Sequence, residues 1–320
     1  MSDVLITGIT GSGGSYLAEY LINNHSELKV HGICRWHSTT TKSNIGHIED
    51  EVHIYECDLL DLGSIIRTLE KVKPKIIFHL AAYANVKKCF DTPLSVIYNN
   101  IMGTANLLEA IRMVCPSAVL QMCSTSEVYG NPTVTPITEE HPISPVNPYA
   151  ASKLAQESLA YSYHKSWGVD VVITRMFAYI NPRRNDLFAS AFAEQVVRVE
   201  KGLQDKILHG NLKSVRTLID VRDAMEAYWL AAIKCDFGTP YNIGGAESIE
   251  VGEVLQLLID KSHVDIKTEE SVDLLRPVDI TLQIPDSTKF LEKTGWKPKY
   301  SLDDSIEFLL EAYRRKYEQV

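Results

Sequence analysis

Short apolar, β-prone runs punctuate the first half of the chain at residues 4–7, 29–33, 54–57, 76–80, 118–122 and 169–174. Stretches of helical periodicity, such as 15–22, lie between them. Alternation of this kind implies right-handed βαβ units and predicts an α/β fold built on a Rossmann-type, doubly wound parallel sheet. Ligands of such sheets bind beyond the carboxyl ends of the strands. After residue 174 the pattern is less regular. Pro182-Arg183-Arg184-Asn185 breaks it, helical periodicity returns over about 190–200, Tyr241-Asn242-Ile243-Gly244 reads as a strand and turn, and 251–259 and 302–317 read as helices. The expected division is a dinucleotide-binding domain over residues 1–174 and a smaller substrate-binding lobe over 175–320, with some later segments returning to the first domain.

Composition narrows the function classes. A chain of 320 residues, 45% hydrophobic and 23% charged, can bury a sizeable core. A net charge of −9 with no run of Lys and Arg argues against a nucleic-acid partner. No apolar segment reaches the roughly 18 residues of a membrane span, and the N-terminus enters a strand rather than a signal peptide, so a cytoplasmic protein without a membrane partner is expected. The six cysteines form no CxxC pair and have no His at metal spacing, so reduced thiols and no metal are expected.

The glycines carry the first chemical signal. Gly8, Gly11 and Gly14 stand at GxxGxxG spacing between a strand and a helix, with Thr10, Ser12 and Gly13 among them. Missing side chains there let the backbone approach a pyrophosphate at the helix N-terminus. Where the second strand ends, an NAD enzyme carries an acid for the ribose hydroxyls, but this chain has Cys34 and Arg35. With no carboxylate to repel a 2′-phosphate, and with Arg35, Ser38, Thr39 and Thr40 to bind it, NADP is favoured. Asp58 and Leu59 end the third strand. Ala81, Ala82 and Tyr83 follow the fourth, where small residues let a cofactor lie close.

Tyr149 and Lys153, four residues apart, fall on one face of a helix if Asn147 caps it and Pro148 is its first residue. A fixed ammonium beside a phenol lowers its pKa toward the working pH and makes it a candidate base. The stretch Ser124-Thr125-Ser126-Glu127-Val128-Tyr129-Gly130 ends the fifth strand just upstream.

Taken together, these motifs resemble the extended short-chain dehydrogenase/reductases, and within them the GDP-mannose 4,6-dehydratases, over essentially the whole chain. The segments that carry the likeness are 7–17, 30–35, Asp58-Leu59, Leu80-Ala81-Ala82, 124–130 and Tyr149-Ala150-Ala151-Ser152-Lys153. The resemblance implies that Tyr149 is the base at the sugar C4 hydroxyl, that Lys153 holds the nicotinamide ribose and that Thr125 hydrogen-bonds the reacting hydroxyl. It further implies that Glu127 removes the C5 proton once C4 is a carbonyl, which is general-base work beside a carbonyl. Asn181-Pro182-Arg183-Arg184, 210–216 and 276–279 look like the segments that hold the sugar nucleotide, with Ser126, Arg183, Arg184, Asn211, Arg216 and Arg276 as its contacts and the last two Arg toward the diphosphate.

The implied function is a nucleotide-sugar 4,6-dehydratase acting on a GDP-hexose such as GDP-mannose, with hydride taken from C4, water lost across C5 and C6, and hydride returned to C6. Two segments depart from the family pattern. Ala178 and Tyr179 stand where dehydratases usually carry Asn-His, and 187–192 lacks the expected basic residue and is more similar to the GDP-4-keto-6-deoxymannose reductases. A reductase or epimerase on a 4-keto sugar nucleotide is therefore the alternative, and a catalytically silent dinucleotide-binding sensor a more distant one. Family members pair through the two helices that follow the fourth and fifth strands, which implies a homodimer or homotetramer.

Overall fold

The computed structural model describes residues 2–36, 42–245, 247–275 and 278–318. The first part runs β1 (Ser2–Thr7), α1 (Ser12–Asn24), β2 (Leu28–Cys34), β3 (Val52–Glu56), α2 (Leu62–Val72), β4 (Ile76–His79), α3 (Lys88–Asp91), α4 (Pro93–Val114), β5 (Val119–Thr125), α5 (Pro148–Trp167) and β6 (Val171–Met176). Then come β7 (Tyr179–Ile180), α6 (Phe188–Glu200), β8 (Lys206–His209), β9 (Val215–Thr217), β10 (Ile219–Asp220), α7 (Val221–Lys234) and β11 (Pro240–Ile243). The chain closes with β12 (Ser248–Glu250), α8 (Val251–Asp260), β13 (Lys267–Glu270), β14 (Leu282–Gln283), α9 (Thr288–Thr294) and α10 (Leu302–Glu318).

The main sheet has the order β11-β6-β5-β4-β1-β2-β3, and each of its pairings is parallel. The order reverses between β1 and β4, which is where a doubly wound sheet opens a crevice for ligands. Alternation along the strands feeds two cores: Val4 and Ile6 pack with Leu17, Leu21 and Met225 on one face, while Leu5 packs with Leu69, Leu107 and Leu120 on the other. Helices α1, α7 and α9 cover the first face; α2, α4 and α5 cover the second.

The chain beyond residue 174 serves both parts. Helix α7 covers the sheet and β11 extends it beside β6. The rest forms a lobe in which α6, α8 and α10 share a separate core of Phe192, Val196, Val254, Leu258, Leu309 and Leu310. Helix α7 escapes the periodicity reading because it is buried almost all round, from Val221 to Ala232, and so lacks the polar face that marks a surface helix. No helix among the described residues is long and apolar enough to cross a membrane.

Candidate active site

A cavity of about 520 Å³ lies over the strand ends at the sheet reversal, between the sheet and the lobe. Its floor is the turn between β1 and α1. Gly8 adopts φ +72°, and a Cβ there would stand 3.0 Å from the Ala81 Cα; a Cβ on Gly14 would lie 2.2 Å from the Gly8 oxygen. No side chain caps the N-terminus of α1, so its first amides face the cavity wall formed by Thr10, Gly11, Ser12 and Gly13. An anionic cofactor bridge fits this cradle.

Arg35, Asp58, Leu59, Leu80, Ala81, Ala82 and Tyr83 all line the same cavity. The Arg35 guanidinium donates to the Tyr83 hydroxyl (3.2 Å) and lies 5.4 Å from that ring's centroid. Ser38, Thr39 and Thr40, expected to assist at a 2′-phosphate, lie outside the described residues.

Helix α5 starts as its sequence predicts. Asn147 Oδ1 accepts from the Ala150 amide (2.8 Å) and Pro148 occupies the first turn. The cap has a second use: Asn147 Nδ2 donates to Glu127 Oε2 (2.8 Å) and so ties the carboxylate after β5 to the helix that carries Tyr149. Thr125 and Tyr149 line the same cavity, while Lys153 Nζ donates to the Cys123 carbonyl (2.7 Å). Tyr149 and Lys153 are both buried, at 8% and 4% exposure. Burial raises the Tyr149 phenol above its ordinary value; Arg184 opposes this most strongly, Glu127 adds to it and Thr125 opposes it. The Lys153 ammonium has its own pKa lowered to about 8, because burial disfavours the charged form.

A polar chain that sequence reasoning missed holds this wall. Ser152 Oγ donates to the Tyr149 carbonyl (2.7 Å) and accepts from Asn100 Nδ2 (2.9 Å). Asn100 in turn accepts from the Tyr83 amide (2.8 Å). Behind it, Glu157 pairs with Arg175 (2.7 Å) and accepts from Ser124, and Arg175 donates to the Tyr129 hydroxyl (2.8 Å). His79 is held by Thr7 and Thr104 at 2.8 Å each, and burial lowers its pKa to about 3, so it is a neutral structural link.

From the chain beyond residue 174, Arg183, Arg184 and Arg216 reach the cavity wall, and Ser126 reaches it from the end of β5. Arg184 is paired with Asp186 (2.9 Å) and donates to the Ala84 carbonyl (2.7 Å). Arg183 is committed to α1, donating to Ser15 Oγ (2.9 Å) and pairing with Glu19 over the Tyr16 ring. Asn211 is not part of the wall; its amide holds Asp279 (2.9 Å) and Ser214 (3.0 Å). Arg276 lies outside the described residues. Of the residues at the departing segment, Tyr179 faces the cofactor cradle, since a Cβ on Gly13 would lie 3.3 Å from its hydroxyl.

A parallel α/β sheet with a glycine-lined anion cradle and a Thr–Tyr–Lys group at the end of β5 and the start of α5 defines a dinucleotide-binding enzyme of the short-chain dehydrogenase/reductase type. Within that class the chain belongs to the GDP-mannose 4,6 dehydratase family, whose model matches residues 5–309. It is 29% identical to the human GDP-mannose 4,6 dehydratase, over 96% of this chain and 90% of that protein. It is also 26% identical to the GDP-6-deoxy-D-mannose reductase of Pseudomonas aeruginosa, over 98% and 97% of the two chains. The solved structure of RMD from Pseudomonas aeruginosa complexed with NADPH superposes with a TM-score of 0.85 at 26% identity, covering 99% of this chain and 100% of that one.

Proposed function

We propose that this protein is an NADP-dependent nucleotide-sugar 4,6-dehydratase acting on a GDP-hexose such as GDP-mannose. The observation that carries this reading is the bond from Asn147 to Glu127. Through it a carboxylate is held against the N-terminus of the helix whose second residue is Tyr149, so two proton acceptors stand side by side on one rigid unit.

NADP, when bound, supplies the hydride acceptor for C4 and the donor for C6. Tyr149 takes the C4 hydroxyl proton, and Thr125, which lines the same cavity, hydrogen-bonds that hydroxyl. Burial that raises the phenol in the protein alone also excludes water and strengthens every charge placed beside it, so a nearby cation is worth more there than at the surface. Glu127 then takes the C5 proton made acidic by the new carbonyl, and water leaves from C6. The first part of the chain grips the cofactor through the 8–14 turn and Arg35. The lobe grips the sugar nucleotide through Arg184 and Arg216, with Ser126 at the end of β5 as a further contact.

A reductase on a 4-keto sugar nucleotide is the second reading, favoured by Tyr179 and by the apolar pair Leu187 and Phe188 in the cavity wall. Product mass from a panel of GDP-, CDP-, dTDP- and UDP-sugars separates the two: loss of one water marks the dehydratase, and gain of two hydrogens with consumption of NADPH marks the reductase. A homodimer through α4 and α5 belongs to the same proposal. Leu94, Tyr98 and Met102 of α4 and Tyr161 of α5 are exposed beside an apolar groove lined by Ile101, Leu154 and Leu159. Light scattering that shows only a 35.9 kDa particle at micromolar concentration would remove the dimer.

A further inference from the structure

Strands β9 and β14, on which Arg216 and Gln283 are direct register partners, reach the cavity wall. Gln283 is only 4% exposed, yet it lines the cavity. Its Oε1 accepts from Ser126 Oγ at 3.0 Å. Its Nε2 is buried and has no hydrogen-bond partner among the described residues. Native proteins satisfy nearly all buried polar groups, and a leucine of similar size would fill this place without leaving a donor unpaired. An amide kept here under that cost calls for a partner that arrives from the cavity.

Position decides which partner. Ser126 stands between Thr125 and Glu127, which line the cavity together with Tyr149, so the part of a substrate nearest Gln283 is the part that reacts. The neutral amide suits a hydroxyl or ring oxygen, while the guanidinium beside it suits phosphate. Rotation about the last bond of a Gln side chain is broad, and the Ser126 hydroxyl can donate or accept, so the amide can swing toward the cavity without losing its anchor.

We propose that Gln283 is a sugar-recognising residue that donates its amide N–H to an oxygen of the hexose while Ser126 holds the other end. This rests on the nucleotide-sugar reading above. The test is calorimetric titration of GDP-mannose, GDP and NADP into the wild-type protein and into Gln283→Leu and Gln283→Met, the second being unbranched in case the first fails to fold. The expected result is an affinity for GDP-mannose about tenfold weaker in the variants, with GDP and NADP unchanged. Among monodeoxy GDP-hexoses, one should bind wild type about tenfold more weakly than the parent sugar yet bind the variants no worse than they bind the parent. Unchanged GDP-mannose affinity in both variants overturns the proposal, and so does an equal loss for GDP and GDP-mannose, which marks a framework role. A wild-type protein that binds NADP but none of the nucleotide sugars overturns the broader reading, a different failure seen before any variant is made.

Discussion

The two walls of the cavity are made in different ways. The sheet-side wall carries Tyr149, Lys153 and Glu127, and it is locked from behind: Asn147 caps α5 and holds Glu127, Ser152 and Asn100 tie the helix to the Tyr83 loop, and Lys153 is anchored on the Cys123 carbonyl. The lobe-side wall is assembled from Arg184, Arg216 and Gln283, which come from three separate stretches of chain, and it retains a buried donor, Gln283 Nε2, with no hydrogen-bond partner among the described residues. Proton transfer needs groups fixed within a fraction of an ångström, so the chemistry belongs on the first wall. Recognition of one sugar among several can be spread over a wall that completes its hydrogen bonds only when the sugar arrives.

The largest effect that would test this division is expected from the first wall. Tyr149→Phe removes the base needed while hydride leaves C4, so no keto intermediate forms, and both turnover and any solvent exchange at C5 should vanish while NADP still binds. Turnover within tenfold of wild type would place the base elsewhere. Glu127→Gln keeps an oxygen for Asn147 and leaves Tyr149 untouched, so C4 oxidation should proceed and reduced cofactor should accumulate transiently. Proton loss from C5 should slow by about 10²- to 10⁴-fold. Deuterium incorporation at C5 at the wild-type rate would show that Glu127 is not the C5 base.

Much of the first wall was legible because its parts are local. The glycine turn, the Asn147–Pro148 helix start and the Tyr149–Lys153 spacing each lie within a few residues, and short-range geometry fixes what such spacings can do. What was not legible depends on tertiary contact. Asn147 was readable as a cap, but its bond to Glu127 joins residues 20 apart, and the Ser126–Gln283 bond joins residues 157 apart. Arg175 and Glu157 look like ordinary charges in sequence; only the packing of β6 against α5 shows them buried as a pair. The anchor of Lys153 also needed the structure, since the i, i+4 spacing puts it on the same face as Tyr149 but does not say that its ammonium donates to the Cys123 carbonyl, 30 residues upstream.

A middle-sized effect separates the walls by ligand. Arg216→Ala should weaken nucleotide-sugar binding by about 1 to 3 kcal/mol, roughly 5- to 150-fold, and leave NADP affinity unchanged; Arg35→Ala should do the reverse by a similar amount. Loss of both affinities in either variant would mean that the two sites are not separable.

The smallest expected effect concerns the contact between Arg35 and Tyr83. Arg35 stands at the end of β2 and Tyr83 on the loop after β4, so the 3.2 Å bond between them joins neighbouring parts of the cofactor cleft. Tyr83 is itself fixed through its amide to Asn100 (2.8 Å), and Asn100 through Ser152 to helix α5. Tyr83→Phe keeps the ring beneath the guanidinium but removes the hydroxyl that orients it. The flexible Arg side chain must then be ordered by the incoming phosphate alone, and that ordering costs about 0.5–1.5 kcal/mol. NADP affinity should therefore fall several-fold, while NAD, which offers Arg35 no 2′-phosphate, should bind as before. Titration of both cofactors decides the point: a fall shared equally by NADP and NAD would mean that Tyr83 shapes the cleft as a whole, and no fall in either would mean that Arg35 is oriented without it.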